Sequence, residues 1–310
     1  MMVYVLLILG FVCLIRGADF FVDGCSDLAR KFHVSSMVIG LTVVAMGTSL
    51  PELAISVSAA ARGVDGMAIS NVTGSNIFNL LMVCGCCAVI APLTVRTQTL
   101  KRDLPFTIAA TLLVLGAGIL GLGFGRPDGI LLLAIFIIFM VLTVRSAKKS
   151  AENGPQEEEF TGFSWVRCLL CLAGGAVAIA AGGQLVVNNA EVIAANFGLS
   201  ETLIGLTVCA IGTSLPELVT SMTAVRKGQH DMAVGNVIGS CLFNILMILG
   251  LTAAVRPVAV EFENIIDMLL LIAVSLIVLL MALPKKQIGR KSGAVCIALY
   301  ALYMVYICIR

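Results

Sequence analysis

Two glutamates, Glu52 and Glu217, lie inside long apolar stretches, in the segments AMGTSLPELA (residues 45–54) and AIGTSLPELV (residues 210–219). Each follows a proline by one residue. A carboxylate within hydrocarbon is costly unless it is paired. Proline lacks an N–H and clashes with the carbonyl four residues earlier, so the carbonyls around Gly47 and Gly212 are expected to lose their helical partners. Unpaired backbone persists at membrane depth only where it lines a cavity or coordinates something. A bound cation answers both problems together. Thr48 and Ser49, with Thr213 and Ser214, add hydroxyl and carbonyl oxygens at each break.

A second motif accompanies each glutamate: SNVTGSNIFN at 70–79 and GNVIGSCLFN at 235–244. Within it Ser75 and Asn79, and likewise Ser240 and Asn244, are four residues apart and share a helical face. Gly74 and Gly239 are expected to allow close helix approach. A lone Ser or Thr in a membrane helix usually bonds a neighbouring helix, so the weight rests on the repeated glutamates. If both halves of the chain meet near the midplane, the donors are all hard oxygens with two carboxylates. That set suits Ca²⁺, which takes about six to eight oxygens, or several Na⁺; with no His or Cys among them, transition metals are disfavoured. Ser49 and Ser214 have no nearby histidine or lysine to act as base, and Glu52 alone is a weak case for a hydrolase. No enzyme activity and no cofactor is expected.

These residues need a membrane scaffold. The chain has 310 residues, 59% apolar and 12% charged, with a mean hydropathy of +1.06, against about 25% charged in soluble domains. Stretches of about 20 apolar residues can each cross a bilayer as a helix. Ten are expected, near 2–22, 35–61, 67–91, 104–123, 128–145, 165–187, 201–225, 231–255, 264–282 and 292–309. The first has no basic residues before it and is expected to stay on the protein. Eleven cysteines fall mostly inside these spans and read as small hydrophobes, without a disulfide framework. Asp19, Asp23 and Asp27 share a face at the end of the first span and read as helix-end solvation, and His33 and His230 as interfacial. Fifteen Lys and Arg lie in the loops after odd-numbered spans and four (Arg62, Arg126, Arg256, Arg310) on the other side, with Arg16 inside the first span. Both termini are therefore expected outside.

Shifting the sequence by 165 residues superposes Glu52 on Glu217 and Asn79 on Asn244 without a gap, and 38–52 matches 203–217 at twelve of fifteen positions. Each copy holds five spans, an odd number, so the second enters the membrane from the opposite side. The fold expected is an all-α membrane protein of ten transmembrane helices in two inverted five-helix repeats, an architecture found in secondary transporters. The repeats are placed at 1–147 and 164–310, joined by a solvated polar linker at 148–163.

GLTVVAMGTSLPE with SNVTGSNIFN, repeated as GLTVCAIGTSLPE with GNVIGSCLFN, resembles the paired alpha-repeats of the sodium/calcium exchanger family within the cation/calcium antiporter superfamily. The resemblance covers nearly the whole chain and implies a prokaryotic-type antiporter of the cell membrane, moving Ca²⁺ in exchange for Na⁺ by alternating access. Ca²⁺/H⁺ exchange is the alternative, and a passive cation channel a more distant one. It implies that Glu52 and Glu217 bind Ca²⁺ with carbonyls of Thr48 and Thr213. Na⁺ would use the same glutamates with Ser49, Ser214, Ser75, Ser240 and the carbonyls of Ala45 and Ala210. The first and sixth helices would slide across the core. Sodium-coupled members carry aspartate where this chain has Asn244, and Cys241 stands where the repeat mate is Asn76, a change expected to affect packing. The implied partners are Ca²⁺, Na⁺ and the lipid bilayer, with no nucleic acid; a monomer is one expectation, and the sequence leaves the oligomeric state open.

Overall fold

The computed structural model describes residues 2–63, 67–121, 123–152, 163–198 and 210–309. It is helical throughout, apart from four two-residue strands. In chain order the helices are α1 (Met2–Lys31), α2 (Ser36–Thr48), α3 (Leu50–Arg62), α4 (Ala68–Ile90), α5 (Thr99–Leu120), α6 (Arg126–Glu152), α7 (Trp165–Asn196), α8 (Ala210–Thr213), α9 (Leu215–Arg226), α10 (His230–Val255), α11 (Phe262–Ala282) and α12 (Arg290–Ile309). Among the described residues eight helices are long and apolar enough to cross a membrane, and α2 with α3 makes a ninth candidate bent by 47°. The protein is a multi-pass membrane protein. Most of the polar linker, and the beginning of the expected span 201–225, lie outside the described residues.

Apolar residues sort these helices into an inner and an outer set. The apolar windows of α4 and α10 are 72% and 83% buried, against 17% for α12 and 22% for α6. Outer helices turn their leucines and isoleucines to lipid, so α4 and α10 form the centre with the broken segments α2–α3 and α8–α9 around them. Glycine sets how close this centre packs. A Cβ on Gly40 would meet the Met232 carbonyl, one on Gly235 the Met37 carbonyl, and one on Gly239 would lie 2.5 Å from the Leu41 oxygen. The backbones of α2 and α10 are therefore in direct contact. Among the described residues a Cβ on Gly74 would meet nothing within 4 Å, so the close approach expected there is not seen.

α1 and α7 form a separate pair. Their contact also runs over glycines: a Cβ on Gly182 would lie 2.8 Å from the Gly10 oxygen, and one on Gly175 2.9 Å from the Gly17 oxygen. Side chains from this pair reach the helix breaks of the centre, where Phe21 lies against Gly47 and Val187 against Gly212. α1 continues nine residues beyond the expected end at 22 to Lys31. Asp19 and Asp23 are not merely solvated there: the Lys227 ammonium donates to the Asp19 carbonyl and to Asp23 Oδ1, both at 2.8 Å.

The short strands tie the loops together. β1 (Leu93–Thr94) pairs antiparallel with β4 (Gln287–Ile288), and β2 (Gly123–Phe124) with β3 (Val258–Ala259). Each pairing joins a loop of the first half to a loop of the second.

Candidate functional site

Each helix break is one residue long. Ser49 lies between α2 and α3 with φ −86° and ψ 11°, and Ser214 lies between α8 and α9 with φ −95° and ψ 6°. Pro51 and Pro216 occupy the first turn of the helices that follow. Proline is tolerated in that position because its missing N–H would have had no helical acceptor. The prolines thus start new half-helices, rather than interrupting the inside of a continuous one. Glu52 and Glu217 consequently stand in first turns, where the helix dipole favours negative charge.

Both glutamates are buried, Glu52 at 1% exposure and Glu217 at 0%. Their hydrogen bonds cross between the breaks. Ser49 Oγ donates to Glu217 Oε1 at 2.7 Å, and Ser214 Oγ donates to Glu52 Oε1 at 3.1 Å. The second oxygen of each carboxylate has no hydrogen-bond partner among the described residues, nor does Asn244 Oδ1 or either polar atom of Asn79. Four of these five atoms are acceptors. Leaving a buried acceptor unpaired costs about 1–3 kcal/mol, more for a charged group. Unpaired oxygen acceptors of this kind are what a hard cation coordinates.

The remaining expected residues fall around this centre. The Thr48 hydroxyl bonds Asn236 Oδ1 at 3.3 Å and the Ala45 carbonyl at 3.4 Å, so it is engaged within the protein. The Ala45 carbonyl also accepts from the Ser49 N–H at 3.1 Å. Ser240 Oγ donates weakly to Asn236 Oδ1 at 3.5 Å, and Ser75 is buried one turn before Asn79. Thr213 is buried at the end of α8, which Ala210 begins. Asn79 opens a π-helical turn, Asn79–Val83, and Asn244 lies in another, Phe243–Ile248. Such widened turns recur at functional sites.

Sequence reasoning missed a supporting layer. Asn71 Nδ2 donates to Ser56 Oγ and, 165 residues on, Asn236 Nδ2 donates to Ser221 Oγ, both at 2.9 Å. These bonds clip α4 to α3 and α10 to α9. Asn76, also missed, bonds Asn244 and the Cys241 carbonyl. A signal was present, since Asn71 and Asn236 occupy matching places in the two copies of the second motif. Among the described residues no cluster of three or more His, Cys, Asp or Glu side chains could hold a metal ion. The glutamate pair, with neutral oxygens, is what the centre offers.

The model of a family described as sodium/calcium exchanger protein matches residues 2–145 and 168–309. A putative antiporter, CaxA, of Alkalimonas amylolytica is 40% identical, with 96% of this chain and 95% of that one covered. The sodium/calcium exchanger MaX1 of Methanosarcina acetivorans is 33% identical, with 97% of each covered. Among solved structures, the sodium-calcium exchanger NCX_Mj soaked with 2.5 mM Na⁺ and 0.1 mM Ca²⁺ superposes with a TM-score of 0.86 at 33% identity, covering 98% of each chain.

Proposed function

The chain belongs to the sodium/calcium exchanger family, and from that premise we propose that it is a secondary active antiporter moving Ca²⁺ across the cell membrane in exchange for Na⁺. The observation that carries the reading is the crossed pair of Ser–Glu bonds, which leaves one oxygen of each buried carboxylate without a donor among the described residues. Ca²⁺ is held between Glu52 and Glu217 with the carbonyls of Thr48 and Thr213 and the amide oxygen of Asn244, which is buried without a donor among the described residues. Na⁺ ions use the same glutamates with Ser49, Ser214, Ser75, Ser240, Asn79, Asn244 and the carbonyls of Ala45 and Ala210. Two carboxylates balance one Ca²⁺ or two Na⁺, so the ions exclude one another, and mutual exclusion makes the cycle an exchange.

The architecture proposed is ten spans in two inverted repeats, 1–147 and 164–310, with a linker at 148–163 and both termini outside. The crossed strand pairings support it, because β3 lies 165 residues after β1, and β4 lies 164 residues after β2, within one residue of the same repeat. So does the family match in two blocks on either side of the linker. α1 and α7 are proposed to slide over the centre, exposing the site first to one side and then to the other. Their glycine contact supports movement as a pair, and Phe21 and Val187 lie where they would cover the breaks.

Neutral asparagine at 79 and 244 favours one second reading, Ca²⁺/H⁺ exchange, since two close carboxylates without a third share protons readily. Ca²⁺ uptake into reconstituted vesicles under separately imposed Na⁺, H⁺ and K⁺ gradients separates the two. Uptake driven by an outward Na⁺ gradient alone supports the first, and uptake driven by an outward H⁺ gradient alone supports the second. Uptake that needs neither gradient refutes both.

A further inference from the structure

We infer that Asn76 is a positioning residue of the cation site, fixing Asn244 so that it meets the site with its carbonyl oxygen. The inference rests on the function proposed above. It begins at the backbone of Cys241, whose carbonyl faces Asn76 Nδ2 at 3.1 Å. A carbonyl only accepts, so the end of the Asn76 carboxamide pointing at it is the N–H end, and Oδ1 points the other way. That oxygen also only accepts, and it faces Asn244 at 3.0 Å, so Asn244 must turn its Nδ2 toward Asn76. The Asn244 oxygen then has one place left to point. It is buried without a donor among the described residues, as are the free oxygens of the two glutamates. Oxygen and nitrogen of a carboxamide are ordinarily hard to tell apart; here a main-chain carbonyl settles the choice through two side chains in turn.

The other half of the site has no such relay. The residue matching Asn76 is Cys241, whose thiol lies 3.9 Å from the Asn76 carbonyl, and Asn79, which matches Asn244, has neither polar atom bonded among the described residues. The two asparagines are therefore unequal. Asn244 is committed as a neutral oxygen ligand, whereas Asn79 can turn either an oxygen to a cation or an N–H to a glutamate. A ligand oriented beforehand does not lose rotational freedom when the ion arrives, which strengthens binding by about five- to tenfold for one such side chain.

Equilibrium binding of Ca²⁺ to the purified full-length protein tests this through a double-mutant cycle. Asn76→Leu keeps the branched shape and removes the relay, and it is expected to weaken Ca²⁺ binding about five- to tenfold. In an Asn244→Ala background there is nothing to orient, and the same change is expected to alter binding less than about twofold. Asn76→Ser repeats the cycle with a smaller side chain, and thermal unfolding identifies the variants that fold. An equal loss in both backgrounds would make Asn76 a packing residue and overturn the inference, as would no loss in the wild-type background. Wild-type protein that binds no Ca²⁺ overturns the proposed function together with this inference.

Discussion

The Ser49 hydroxyl at one helix break holds Glu217 at the other, 168 residues away, with a 2.7 Å hydrogen bond. Ser214 returns the contact to Glu52 at 3.1 Å. Each acid is thus oriented by the opposite half of the chain, and neither half completes its own carboxylate. The two breaks are coupled in stability as well as in chemistry.

A hydrogen bond to a buried charged group contributes about 1.5–3 kcal/mol. Ser49→Ala and Ser214→Ala are each expected to lower stability by about that much, the larger loss falling on Ser49 with its shorter bond. Thermal unfolding in detergent checks this. Equal melting points for wild type and both variants would contradict it.

Glu52→Gln and Glu217→Gln are each expected to abolish Ca²⁺ transport while leaving the protein folded. Glutamine keeps the shape and can still accept from the serine, but it removes half the charge that offsets dehydration of Ca²⁺. Flux in reconstituted vesicles, beside a melting curve, provides the check. Wild-type flux in either variant would remove that residue from the site.

Between α2 and α10 there is no room for a side chain at the glycine contacts. Gly40→Ala and Gly235→Ala drive a methyl into a backbone carbonyl, which does not rotate away, and each is expected to cost about 1–3 kcal/mol. Gly174→Ala, on the exposed face of α7 with open space around it, is expected to be neutral. Melting points of the three variants that fell together would contradict this packing.

Asn244→Asp would replace an N–H facing Asn76 Oδ1 with a second oxygen. A buried bond is lost, at about 1–3 kcal/mol of stability, while a third negative charge is added beside the glutamates. Stronger competition by Na⁺ against Ca²⁺ is expected, together with a lower melting point. An unchanged Na⁺ inhibition curve would refute this account of the position.

How much of this could be read from sequence depends on how each residue declares itself. Glu52 and Glu217 stand out because charge inside an apolar run is costly, and the repeat shows them twice. Asn79 and Asn244 follow from helical spacing to their serines. Asn71, Asn76 and Asn236 were missed because an isolated amide gains meaning only from its partner, and the partner lies on another helix. Pro51 and Pro216 marked the breaks, but spacing alone did not show that they open new helices and put the acids at positive helix ends. The π-helical turns at Asn79 and Asn244 carry no residue signature. α1 ran past its expected end because Asp23, Asp27 and Arg30 lower hydropathy without interrupting a helix.

In the exchange proposed, Ca²⁺ and Na⁺ compete for one site built on Glu52 and Glu217. Equilibrium binding of radiolabelled Ca²⁺ to the purified protein, titrated with Na⁺ against an inert monovalent cation, tests it directly. The expected result is one Ca²⁺ per chain, displaced completely by Na⁺ and absent in both Glu→Gln variants. Ca²⁺ binding that persists at saturating Na⁺, or that survives in either variant, would contradict the account.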